Sequence, residues 1–155
     1  MIKLVRIDDR LLHGQVAFAW SKHYDINIIL VANDDAAKDK TKQMALKMAK
    51  PPNAKLYIKS VEEAIKDLPK LDNPKMKALV IIDSAKDAKS LVEAADNIKS
   101  INVGGMRMAE GKKLISRAVA VDDEDIKNLK AIEEKIEVEI RQVPNDTKKL
   151  FKNLV

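Results

Sequence analysis

Eight consecutive residues carry the chain's densest chemistry: Arg6, Asp8, Asp9, Arg10 and His13 fall in the run Arg6-Ile7-Asp8-Asp9-Arg10-Leu11-Leu12-His13, with Gly14-Gln15-Val16 next. An imidazole can act as nucleophile, base or metal ligand. Two guanidiniums can fork onto an oxyanion or phosphate, and Gly14 lets the backbone approach a bound group. Three readings follow from these residue types. The first is chemistry on a bound oxyanion or phosphate, with His13 as nucleophile or base, Arg6 and Arg10 as forks and the N–H groups around His13 to Gln15 as further donors at a helix start. The second is a metal-dependent hydrolase built on Asp8, Asp9 and His13. Adjacent carboxylates rarely converge on one ion, and no second histidine cluster exists to complete such a site. The third is an anion-binding or regulatory module, since a fold does not determine its function. An exposed ion-pair loop of little energetic worth is the plain alternative for Asp8, Asp9 and Arg10.

The elements around the run explain why it is exposed to a ligand. Ile2 to Ile7 reads as an apolar strand and Val16 to Lys22 as a helix, with Val16, Ala19 and Trp20 facing the core. A strand-to-helix connection has no packing reason to hold so much charge, and in an open parallel sheet ligands gather at such a mouth. His23 ends the same helix, on the negative side of its dipole, and is assigned no chemistry.

The rest of the chain repeats the pattern. Ile26 to Val31 is a continuous apolar strand, and Asn33 or Asp34 caps a helix running to Lys50. Its expected inner stripe is Ala37, Thr41, Met44, Ala45, Met48 and Ala49, ended by Pro51-Pro52. Ala54 to Lys59 is a third strand, and Ser60 to Glu63 a capping-box opening for a helix ending near Leu68. Pro69 to Pro74 reads as a loop within one domain. Met76 to Ile82 is a fourth strand, and Ser84 is placed to cap a helix whose buried face is Ala88, Leu91, Val92 and Ala95. Ser100 to Val103 is a fifth strand closed by Gly104-Gly105, with Arg107 shortly after. Paired glycines there let N–H groups approach an anion, although tight turns explain most such pairs. Ala118 to Val121, a helix opening at Asp122 to Asp125, and a last strand Ile136 to Val143 complete the order. Leu150, Phe151 and Leu154 are expected to pack a final short helix on the body. Strands alternating with helices predict a single α/β domain, residues 1–155, with a three-layer open sheet of mostly parallel strands.

Composition narrows the partners. The chain has 155 residues, 46% hydrophobic and 34% charged, as in a soluble globular protein rather than a disordered one. It has no cysteine, which removes disulfides, thiolate metal sites and thiol catalysis together and fits a reducing compartment. Aromatics are only 3%, so aliphatic and alanine side chains must build the core. The net charge of +5 is scattered along helix faces, without the basic block and interleaved aromatics of a nucleic-acid binder. No signal-peptide pattern opens the chain and no run approaches a membrane span, so a cytosolic location is expected.

The string Arg6 to Gln15 closely resembles the phosphorylation-site loop of the mannose/sorbose-family IIB components of the bacterial sugar phosphotransferase system. Asn102-Val103-Gly104-Gly105-Met106 resembles that family's second motif. Val121-Asp122 and Arg141-Gln142-Val143-Pro144 resemble its C-terminal third. The resemblance implies a three-layer sheet and phosphoryl transfer through His13 as the phosphohistidine, modified on Nδ1, at the C-terminal edge, with Arg10 as the transition-state cation. It implies a IIA protein or domain as donor, the IIC/IID membrane permease and its sugar as acceptor, and a cytoplasmic protein peripheral to that permease, with a homodimer allowed. No cofactor and no metal are called for. Arg6, Asp8, Asp9, Gly14, Gln15, Ser84, Gly104 and Gly105 become candidates for binding the phosphate or orienting its loop, the carboxylates for orienting only. One departure is Ala85, where many members carry proline, which leaves the conformation of that loop and the role of Ser84 open.

Overall fold

The computed structural model describes residues 1–155. Seven strands form one sheet: β1 (Ile2–Asp8), β2 (Ile28–Ala32), β3 (Lys55–Lys59), β4 (Ala78–Ile82), β5 (Ser100–Gly105), β8 (Glu137–Ile140) and β9 (Lys149–Leu150). Their order is β3-β2-β4-β1-β5-β8-β9, all parallel except β9. A separate antiparallel hairpin pairs β6 (Lys113–Ser116) with β7 (Val119–Val121).

Alternation along the strands splits the core in two. Val5, Ile7, Leu30, Ala32, Val80, Ile82, Ile101 and Val103 face one side and meet α4 (Val61–Asp67), α5 (Ala85–Ala94) and α6 (Asp123–Glu133). Leu4, Ile29, Val31, Leu79 and Ile81 face the other and meet α1 (Gly14–Tyr24), α2 (Asp34–Lys38) and α3 (Lys40–Ala49). That second cluster takes no residue from β5 or β8. There the sheet presents Asn102 and, across it, Glu139 in register with Arg6, with Gly104 two residues further along β5. The three-layer α/β expectation holds.

Several expectations are corrected. The helix from Asn33 to Lys50 is two helices, because Asp39 turns extended and its carboxylate accepts from the N–H of Thr41 and Lys42 to start a new one. The break rotates the apolar stripe outward: Met44 and Met48 are 64% and 85% exposed, Thr41 and Ala45 are exposed too, and Ala36 and Leu46 face the core instead. Gly104 and Gly105 lie inside β5 rather than after it. The last long strand stops at Ile140, and Leu150 pairs in β9 before a single 3-10 turn, Phe151–Asn153, with Phe151 fully buried. Pro69 begins no free loop either: Leu68–Leu71 is a 3-10 turn with two buried leucines. The expected Ala118 to Val121 segment contains β7, whereas its hairpin partner β6 is short and exposed or half-exposed and carries no strand signal of its own.

Candidate functional site: the loop between β1 and α1

The loop's frame is Asp8. Its side chain is 2% exposed and takes three donors. Arg6 Nη2 reaches Oδ2 at 3.0 Å, His13 Nε2 lies 2.9 Å from the same Oδ2, and the Arg10 N–H donates to Oδ1 at 3.0 Å. Burial pushes this carboxyl up. The hydrogen bond with His13, the Arg6 charge and the Arg10 N–H outweigh burial and hold it below its ordinary value. A carboxylate only accepts, so Nε2–H donates to it, and in the neutral ring Nδ1 holds the lone pair.

Asp9 does a different job. It accepts from the Arg107 N–H at 2.8 Å and Nε at 3.1 Å, and its own N–H donates to the Gly105 carbonyl. The loop after β1 is thereby tied to the chain after β5. Asp8 and Asp9 turn to different cations and do not converge, which removes the geometric basis of a shared metal.

The backbone between them is tightly wound. The Leu11 N–H donates to the Asp8 carbonyl, and Leu11 takes φ 58°, a left-handed value that costs a non-glycine residue about 1 kcal/mol or more. Gly14 has φ 40° with open space around its Cβ position, so its glycine is needed for conformation rather than for room. His13 is extended and stands at the N-cap of α1, yet no side chain caps that helix. Its first N–H groups stay open, with Gln15 exposed beside them. Arg10 is exposed, and its guanidinium makes no ion pair or hydrogen bond within the chain.

Arg6 and the glycines are placed unexpectedly. Arg6 is only 3% exposed and cannot swing out to a ligand as an open fork would. Its Nη1 donates to Asn102 Oδ1 at 2.8 Å and to the Arg141 carbonyl at 3.3 Å. A Cβ on Gly104 would lie 1.9 Å from the Arg6 Cζ, and one on Gly105 3.1 Å from Asp8 Oδ1. The glycine pair therefore makes room for the Arg6 and Asp8 side chains of β1. Ser84 accepts from the Asp87 N–H as the N-cap of α5, and Ala85 is its fully buried first residue. The helix starts normally without the proline, which suits that same position.

Sequence reading missed four contributors. Trp20 is fully buried and donates to the Gln142 carbonyl at 3.0 Å, with Arg6 and Arg141 carbons 5.8 and 5.0 Å from its ring. Asn102 also donates to the Arg141 carbonyl, and Glu139 pairs with Arg141 at 3.0 Å. The alternation Glu137-Val138-Glu139-Ile140-Arg141 was the available signal that one face of β8 is polar. Beyond Gly104, Arg141, Arg117 and Lys149 rim an open groove of about 410 Å³.

Residues 2–155 match the family model described as the PTS system sorbose subfamily IIB component. The fructose-specific EIIB component of Bacillus subtilis (strain 168) is 34% identical over 97% of this chain and 93% of its own length. The mannose-specific EIIAB component of Escherichia coli (strain K12) is 35% identical over the whole chain, which spans only 48% of that relative. Among solved structures, the IIBSor domain of the sorbose permease from Klebsiella pneumoniae superposes with a TM-score of 0.90 at 30% identity, covering 99% of this chain and 95% of that one. The N-acetylgalactosamine-specific IIB component 1 from Escherichia coli does so with 0.90 at 34%, covering 96% and 98%.

Proposed function

Because the chain belongs to the sorbose-subfamily IIB components of the sugar phosphotransferase system, we propose that His13 is its phosphoryl carrier. It takes the group from the phosphohistidine of a IIA protein or domain and gives it to a sugar held by the IIC/IID permease. One observation carries the reading: Asp8 holds Nε2 at 2.9 Å, which leaves Nδ1 free beside an uncapped helix start.

The chemistry follows from that placement. In uptake the Nδ1 lone pair forms a bond to phosphorus while the donor's P–N bond breaks, its electrons returning to the donor imidazole. In release a sugar hydroxyl oxygen bonds to phosphorus, the P–Nδ1 bond breaks with its pair returning to Nδ1, and the hydroxyl proton leaves to water. The proton on Nε2 stays in place in both steps, and Asp8 offsets the positive charge on the phosphorylated ring. Arg10, free of partners, and the open N–H groups at Gly14 and Gln15 meet the phosphoryl oxygens. Asp9 holds the loop through Arg107 and touches no phosphate. Positioning and charge account for the transfer.

No helix of the chain is long and apolar enough to cross a membrane; a cytoplasmic protein that docks on its permease fits the reading. The test is incubation with a phosphorylated IIA donor in the presence of a chelator. The expected product is one phosphate on His13 that survives alkali and is lost in acid, as a phosphoramidate is. Labelling that requires added metal, or that falls elsewhere, rules the reading out.

A further inference from the structure

We propose that Arg6 is a positioning residue: held by Asn102 and admitted by Gly104, it shares Asp8 with His13 and so keeps that carboxylate from fixing a second proton on the imidazole. This rests on His13 being the phosphoryl acceptor. A buried carboxylate facing an imidazole alone favours the imidazolium, and in the imidazolium Nδ1 carries a proton in place of its lone pair. Such a histidine would be held in place and unreactive. Asp8 Oδ2 is not alone with His13: Arg6 Nη2 reaches the same oxygen at 3.0 Å. The guanidinium takes up part of the carboxylate's charge from behind, so Asp8 orients the ring without over-protonating it.

The surroundings are built for a guanidinium and nothing else. One arm goes to Asp8 and the other to Asn102 Oδ1 at 2.8 Å, a fork that an ammonium cannot reproduce. The group also lies against Trp20, at 5.8 Å from the ring centre. The space it occupies is the space of a missing side chain, since a Cβ at position 104 would meet Arg6 Cζ, Nη1 and Nη2 at 1.9, 2.1 and 2.2 Å. The charges around it are all accounted for. β1 contributes Arg6 and Asp8, the loop contributes Arg10 and the Asp9 carboxylate already bound to Arg107, and the β8 side contributes Glu139 bound to Arg141. Burial draws Arg6 below its ordinary value against the pull of Asp8 and Glu139, but an arginine stays a cation at any working pH.

Removing Arg6 outright strands Asp8 and endangers folding. Gly104→Ala keeps every charge and displaces the guanidinium, and Asn102→Ala takes away its second anchor more gently. Two readouts apply to variants that retain the wild-type circular dichroism. The first is the ¹⁵N spectrum of the His13 ring, which needs no phosphoryl donor. The wild type is expected to show the proton on Nε2 with Nδ1 bare, and either variant a larger doubly protonated share at pH 7. The second is the rate of phosphoryl uptake, expected to fall at least about fivefold at pH 7 and to return to within about twofold of wild type near pH 8.5. A loss equal at every pH, or an unchanged doubly protonated share in a folded variant, overturns the proposal and leaves Arg6 a packing residue. A wild-type ring protonated on Nδ1 instead of Nε2 overturns it with no variant at all. If wild-type His13 accepts no phosphate, the proposed function fails, and the spectra still decide how Asp8 is shared.

Discussion

Two neighbouring junctions in this sheet look alike in topology and differ in how they spend their polar groups. β1 and β4 are paired and parallel, and each hands the chain to a helix at the same edge. At the β4 junction, Ser84 caps α5 by accepting from Asp87 N–H, and Ala85 is buried. At the β1 junction, the side chains bind one another instead. Asp8 gathers Arg6, Arg10 N–H and His13, Asp9 takes Arg107, and the first N–H groups of α1 are left uncapped. A capped helix end is stable and chemically finished. An uncapped end beside a bare imidazole nitrogen gives up stability of about 1 kcal/mol and retains donors for an anion. The strained Leu11 belongs to the same trade.

The comparison breaks first at the histidines. His13→Ala is expected to abolish phosphate uptake from a phosphorylated IIA donor, and His23→Ala to keep most of it. His23 lies in the last turn of α1, edge-on to Trp20 and packed on Tyr24, where the helix dipole disfavours a dianion. Radiolabel transfer followed by acid and alkali treatment reads both.

Next comes Asp8, whose loss should dismantle the junction. Asp8→Asn is expected to lower stability by about 3 kcal/mol at pH 7, because it leaves Arg6 buried without its counter-charge. The folded carboxyl sits below its ordinary value, so its contribution is fully present above the unfolded value of about 3.9 and is lost as pH falls through the folded one. The gap between wild type and variant should be constant from pH 5 to 7 and close in stronger acid, as urea titrations at several pH values would show.

Arg10→Lys sharpens the chemical side alone. It keeps a charge and loses the planar fork, so transfer should slow at least about tenfold, or about 1.4 kcal/mol of transition-state stabilisation, with stability unchanged. An unaltered rate removes Arg10 from the mechanism.

The capped junction should respond the opposite way. Ser84→Ala is expected to cost about 1 kcal/mol of stability through the lost cap, with transfer per folded molecule unchanged. The smallest effect is expected at Asp87 in the first turn of α5. Burial, then Asp83 and Asp34, raise its carboxyl above the ordinary value. Its folded form therefore disfavours the charge, and the penalty grows as pH rises past the unfolded value. Asp87→Asn should raise Tm slightly at pH 7 and not at pH 3. A rise that is equal at both would assign the effect to something other than charge.

The amino-acid sequence by itself determined the alternation of strands and helices, the parallel sheet, the cap at Ser84 and the place of the densely charged loop. Each of these is written in local periodicity or in a contiguous string, and local patterns survive folding. Only the tertiary structure decided what each member of that string does. Arg6 and Arg10 are equivalent as letters, yet one is buried against Asn102 and the other is free, because β5 lies beside β1 and supplies Asn102 and Gly104 from nearly a hundred residues away. Gly104-Gly105 reads as a turn or an anion cradle, and its actual use is to yield volume to side chains of another strand. The Met44 and Met48 stripe has helical spacing, but one extended residue at Asp39 turned it to solvent. Periodicity along one element says which residues share a face. Which face is covered, and which side chains fill the gap, depends on neighbours that meet only when the sheet assembles.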